Sequence, residues 1–88
     1  MKFKIEWTKF AKNDIKNLNN KISDSKIDAI YFAPEKIIFP EQFQIDEYRT
    51  DCRRIIVGNF KILYQFSNET IRIIKVFNSL HDPKKSKP

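Results

Sequence analysis

Gly58 is the only glycine in this 88-residue chain, and with Asn59 it separates two runs of β-forming residues. The first run is Arg53-Arg54-Ile55-Ile56-Val57 and the second is Phe60-Lys61-Ile62-Leu63-Tyr64-Gln65-Phe66. A Gly-Asn pair in that position supplies the positive φ of a two-residue hairpin loop. The loop dictates the pairing: Val57 faces Phe60, Ile55 faces Ile62 and Arg53 faces Tyr64, while Ile56 faces Lys61, Arg54 faces Leu63 and Cys52 faces Gln65. Side chains alternate across a strand, so Val57, Ile55, Phe60, Ile62, Tyr64 and Phe66 share the face that covers a core. Cys52, Arg54, Ile56, Lys61, Leu63 and Gln65 share the other.

That second face makes Arg54 and Lys61 diagonal neighbours. They are close enough to hold one phosphate together, and close enough to repel if no anion is present. A third run, Thr70-Ile71-Arg72-Ile73-Ile74-Lys75-Val76-Phe77, continues the meander after Ser67-Asn68-Glu69. A two-residue loop there puts Arg72 on the cationic face, and a three-residue loop puts Lys75 there. Either register adds a cation.

Ahead of the meander, Lys2 to Glu6 alternate around Phe3 and Ile5 as a half-buried strand does. Thr8 is placed to cap a helix whose apolar residues are Phe10, Ala11, Ile15, Leu18 and Ile22. Ser23-Asp24-Ser25 ends it and opens a second helix with Ile27, Ala29, Ile30, Phe32 and Ala33. Pro34 then forces a kink or a restart through Glu35 to Phe39. The Phe3, Phe10, Phe32, Phe60 and Phe66 rings are assigned to packing. Residues 40–48 read as a surface connection with room for a short edge strand, its acids Glu41, Asp46 and Glu47 solvated.

An apolar fraction of 41%, with 14% aromatic residues, supports one packed core in a chain of this length, and excludes general disorder. The elements read in the order β-α-α-β-β-β, with the apolar face of the meander turned toward the two helices. Residues 1–83 form the single domain, and 84–88 form a basic tail. A net charge of +6 favours polyanions or an acidic protein as partner. With Cys52 as the only cysteine, no intrachain disulfide can form and no cysteine-based zinc set can be assembled, so neither metal nor cofactor is expected. The charged N-terminus, Met1-Lys2-Phe3-Lys4, and the lack of a long apolar run argue for a cytoplasmic protein away from membranes.

The strand, two helices and a meander reading Arg-Arg-Ile-Ile-Val-Gly-Asn-Phe-Lys-Ile-Leu-Tyr, closed by Val76-Phe77-Asn78-Ser79-Leu80-His81-Asp82-Pro83-Lys84-Lys85, resemble the RelE/ParE superfamily of bacterial toxins. The resemblance implies an α+β fold, two N-terminal helices packed on one face of a small antiparallel sheet, and the toxin half of a type II toxin-antitoxin module, bound by a cognate antitoxin and meeting operator DNA only through it. The expected activity is that of the RelE-like branch, a ribosome-dependent mRNA endonuclease that arrests translation, with two alternatives. The ParE-like branch is a non-enzymatic inhibitor of DNA gyrase. A non-toxic basic RNA-binding module is a third reading.

Carried over residue by residue, the RelE-like basic residues fall on Arg54 and Lys61, with His81 as acid or base. Metal-independent RNA cleavage needs a base, fixed cations and an acid, and His81 is the only side chain that ordinarily titrates near neutrality. Arg72, Lys75, Lys84 and Lys85 join Arg54 and Lys61 as nucleic-acid-binding candidates. Leu80 stands where relatives tend to carry arginine, which removes one charge-stabilising group. Arg53 and Tyr64, on the helix side, are read as structural.

Overall fold

The computed structural model describes residues 3–19 and 21–79. In chain order the elements are β1 (Lys4–Trp7), α1 (Lys9–Leu18), α2 (Asp24–Phe32), β2 (Arg53–Val57), β3 (Phe60–Ser67) and β4 (Thr70–Asn78). They form a four-stranded sheet in the order β1-β4-β3-β2. The meander β2-β3-β4 is antiparallel as expected, whereas β1 joins in parallel beside β4, so the sheet is mixed. The two helices bridge from β1 to the far edge, the long connection that a parallel arrangement requires.

Local chemistry begins both helices. The Thr8 hydroxyl accepts from the Ala11 N–H at 3.3 Å, and the Ser23 hydroxyl from the Lys26 N–H at 3.3 Å, so each cap satisfies a donor that the helix leaves unpaired. Thr8 also donates its hydroxyl to the Ile73 carbonyl at 2.7 Å, tying the start of α1 to β4. Beyond Ile73, β4 runs past the end of β1, and there the Asp14 carboxylate accepts from the Val76 N–H at 3.0 Å. Helix α1 thus satisfies part of an edge that would otherwise be open to strand pairing. Pro34 ends α2 as expected: the chain passes into a 3₁₀ turn over Ala33–Lys36 instead of a continuing helix.

The core lies between the helices and one face of the sheet. Ala11 and Ile15 of α1 and Ile27 and Ile30 of α2 meet Ile55, Phe60, Ile62, Tyr64, Ile71, Ile73 and Val76. Three aromatic assignments are corrected. Phe10 is 75% exposed, Phe32 is 67% exposed, and Phe66, expected on the core face, is 39% exposed with its ring edge-on to Phe3 at 5.2 Å. Ala11, Ile15 and Leu18 already make the inward stripe of α1, and Phe10 sits one residue, roughly 100°, off it. Among the described residues no helix is long and apolar enough to cross a membrane.

Both hairpins use two-residue loops. Gly58 takes φ +58° as its position demands, and the expected β2–β3 register is observed throughout, from Val57 opposite Phe60 to Arg53 opposite Tyr64. The second loop is Asn68-Glu69, with φ of 51° and 59°. Asn tolerates the left-handed region and Glu does not, so Glu69→Gly is expected to raise stability by about 0.5–1 kcal/mol. A higher urea midpoint with an unchanged slope would show it.

The open choice between Arg72 and Lys75 has an answer that simple loop counting does not contain. The two-residue loop sets Arg72 opposite Gln65, and a bulge in the ladder between Leu63 and Tyr64 then sets Lys75 opposite Leu63. A bulge adds one residue to a strand and shifts the alternation beyond it, so both cations share the face that already carries Arg54.

Candidate functional site

The face turned away from the helices carries the expected cations, but not as an open pair. Residues 44–52 form a strap across it. The strap attaches to the outer edge of β2 through Arg54 N–H to the Gln44 carbonyl at 2.9 Å, and through a bridge between Ile45 and Arg53. Its own bonds close it into a loop, with Asp46 N–H on the Cys52 carbonyl at 2.9 Å and Cys52 N–H on the Arg49 carbonyl at 3.0 Å. Beneath it, Cys52, Leu63 and Phe77 form a second small apolar cluster with Ile74 at its margin.

Asp46 sits at the centre of the strap and is fully buried. This corrects its reading as a solvated loop acid. One carboxylate oxygen accepts from the Tyr48 N–H at 3.1 Å and the Arg49 N–H at 2.9 Å, the turn that an aspartate makes with the backbone just beyond it. The other lies 2.9 Å from the Lys61 ammonium and 3.8 Å from the Arg54 guanidinium. Lys61 is itself only 5% exposed, flanked by the Tyr48 ring at 5.4 Å and the Phe77 ring at 5.8 Å. Buried charges persist in a fold only when paired, and here the chain supplies its own counter-ion.

The remaining sequence candidates are dispersed. Arg72 is exposed, with Glu6 at 3.8 Å. Lys75 extends over the Phe77 ring at 5.9 Å. His81, Lys84 and Lys85 lie outside the described residues, as does Leu80. Arg53 is structural, donating to the Phe43 carbonyl at 2.8 Å, and the Tyr64 hydroxyl donates to the Pro40 carbonyl at 2.8 Å. Asp46 was the residue that sequence reasoning passed over, yet a signal existed. Two neighbouring cations in a sheet require an anion, and a short acidic loop leads directly into β2.

Neither of the other titratable groups buried near the strap is a base at neutral pH. Burial pushes the Cys52 thiol above its ordinary 9.0 and the Tyr64 phenol above its ordinary 10.0. Both groups hold their proton more tightly folded than unfolded, so this contribution to stability is complete below those ordinary values and is lost as the pH rises through the folded ones. The urea midpoint is expected to stay level up to pH 9.0 and fall above it, with Cys52→Ala removing the first part of the decline. A midpoint that climbs above pH 9.0 would contradict the assignment. Among the described residues no three His, Cys, Asp or Glu side chains are grouped to hold a metal ion.

Two helices on one face of this four-stranded sheet define the RelE/ParE toxin fold, as similar solved structures show. The toxin-antitoxin complex RelBE2 from Mycobacterium tuberculosis matches with a TM-score of 0.69 at 15% identity, covering 89% of this chain and 92% of that one. A free-state mutant of the E. coli toxin RelE matches with a TM-score of 0.66 at 13% identity, covering 99% and 94%. The chromosomal ParDE system from P. aeruginosa matches with a TM-score of 0.63 at 12% identity, covering 86% and 95%. No curated relative matches the chain. A family model described as the ParE toxin of the type II toxin-antitoxin system, parDE, matches residues 5–83, and the chain belongs to that family.

Proposed function

We propose that this toxin is ParE-like in mechanism: it inhibits DNA gyrase by binding it, and a cognate antitoxin neutralises it. The observation that carries this reading is the Lys61–Asp46 ion pair at 2.9 Å under the strap. Cleaving a phosphodiester requires cations aimed at charge that develops on the phosphate, undiminished by a resident anion. Here a carboxylate already occupies the space between Lys61 and Arg54. The family match over residues 5–83 supports the same branch. The likeness to RelE concerns the fold, so the RelE-like nuclease, with Arg54, Lys61 and His81 as its catalytic set, is the competing outcome.

Brief induction of the chain in growing bacteria separates the two. Expected are DNA double-strand breaks and an SOS response while amino-acid incorporation continues, together with inhibition of supercoiling by purified gyrase. Prompt arrest of translation with cleaved transcripts and normal supercoiling would overturn the proposal.

A further inference from the structure

Two backbone N–H donors and two cations converge on the Asp46 carboxylate, and they belong to two separate bodies. Lys61 and Arg54 stand on β3 and β2, inside a rigid ladder. The Tyr48 and Arg49 N–H groups belong to the strap itself. If the strap lifts, the carboxylate leaves with its two N–H donors still attached, and the strap keeps its internal bonds between Asp46, Arg49 and Cys52. Opening breaks the ion pairs to the sheet, the Lys61 contact with the Tyr48 ring, the burial of Cys52, and the Gln65 amide donating to the Asp51 carboxylate at 3.0 Å, to its carbonyl at 3.3 Å and to the Cys52 sulfur at 3.6 Å. What opening exposes is a pair of neighbouring cations without a carboxylate between them, Arg54 keeping only the Gln44 side-chain oxygen at 3.1 Å and Lys61 the Phe77 ring at 5.8 Å.

We propose that residues 46–52 form a lid carrying its own anion, and that beneath it lies an anion site for a carboxylate or phosphate group, closed in this state by Asp46. The proposal rests on the same ion pair as the functional reading, which takes the closed lid as the state that meets gyrase, and its tests read anion binding and lid opening without reference to that target. It can fail while gyrase inhibition stands, and the reverse.

The test uses the full chain and two small anions, formate and inorganic phosphate, with chloride at matched ionic strength as reference. Wild type should melt at the same temperature in all three. Asp46→Ala removes the carboxylate and leaves its donors around a vacated space, so its melting temperature should drop in chloride and recover in part, saturably, with formate or phosphate. Adding Lys61→Met to Asp46→Ala should abolish that recovery. If Asp46→Ala is unfolded in chloride, folding induced by formate or phosphate is the expected behaviour. Failure to fold in any of the three, or a folded variant without anion-specific recovery, or recovery that survives Lys61→Met, overturns the site.

The lid is tested separately by acylating surface amines and locating the modified lysines by mass spectrometry. Lys61 should react far more slowly than Lys9 or Lys12, and Gln65→Ala, which removes one restraint on the strap, should raise labelling at Lys61 several-fold without changing the others. Equal labelling of Lys61 in wild type and Gln65→Ala overturns the lid.

Discussion

Lys61→Met is expected to lower the free energy of unfolding by about 3–5 kcal/mol, the usual consequence of leaving one member of a buried ion pair without the other. The substitution keeps the volume of the side chain and its packing on Tyr48 and Phe77, so the loss isolates the charge. Asp46 would retain the two backbone donors and Arg54, but Arg54 lies at 3.8 Å and its side chain is 23% exposed, so it compensates only in part. A domain of this size is stable by roughly 5–10 kcal/mol, so the variant would lose about a third of its stability or more. Chemical denaturation of Lys61→Met, Asp46→Asn and the double variant measures the coupling directly. The double variant should be less destabilised than the sum of the two single ones, because removing both charges leaves no buried ion uncompensated. Strict additivity would mean that the two groups do not interact.

Tyr64→Ala is expected to cost a similar 3–5 kcal/mol, by a different route. Tyr64 is fully buried, meets the Phe43 ring edge-on at 6.4 Å between centroids, and ends on the Pro40 carbonyl. Its ring fills the core opposite Arg53, and its hydroxyl holds the segment that descends from the helices toward the strap. Tyr64→Phe separates these contributions. It should cost only about 1 kcal/mol, the typical worth of one hydrogen bond, and leave the ring in place. If Tyr64→Phe were as damaging as Tyr64→Ala, the hydroxyl rather than the ring would be the main support.

Much of the fold could be read from neighbours along the chain. The Gly58-Asn59 loop predicts every β2–β3 pair because a tight turn leaves one register, and register decides which face each side chain takes. Thr8 and Ser23 predict their helices because a cap acts on a backbone N–H only three residues away. Phe10 and Phe32 show where counting apolar residues is insufficient. Both lie on helices with a sufficient inward stripe, and nothing local tells a surplus aromatic from a buried one. The bulge between Leu63 and Tyr64 was equally invisible, since it is a shift of register between two strands and neither strand's own alternation marks it.

The candidate site divides along the same line. That Arg54 and Lys61 would share one face follows from alternation and a two-residue turn, interactions that reach only a few residues along the chain. Whether those cations would be open or occupied does not. Asp46 precedes Lys61 by a strand and a hairpin loop, and it is buried against it only because the strap crosses the face that the paired β2 and β3 present. The free energy of a buried ion depends on what surrounds it in space, a quantity that no spacing along the chain encodes. The residues named the cations, and the tertiary fold delivered the anion that closes them.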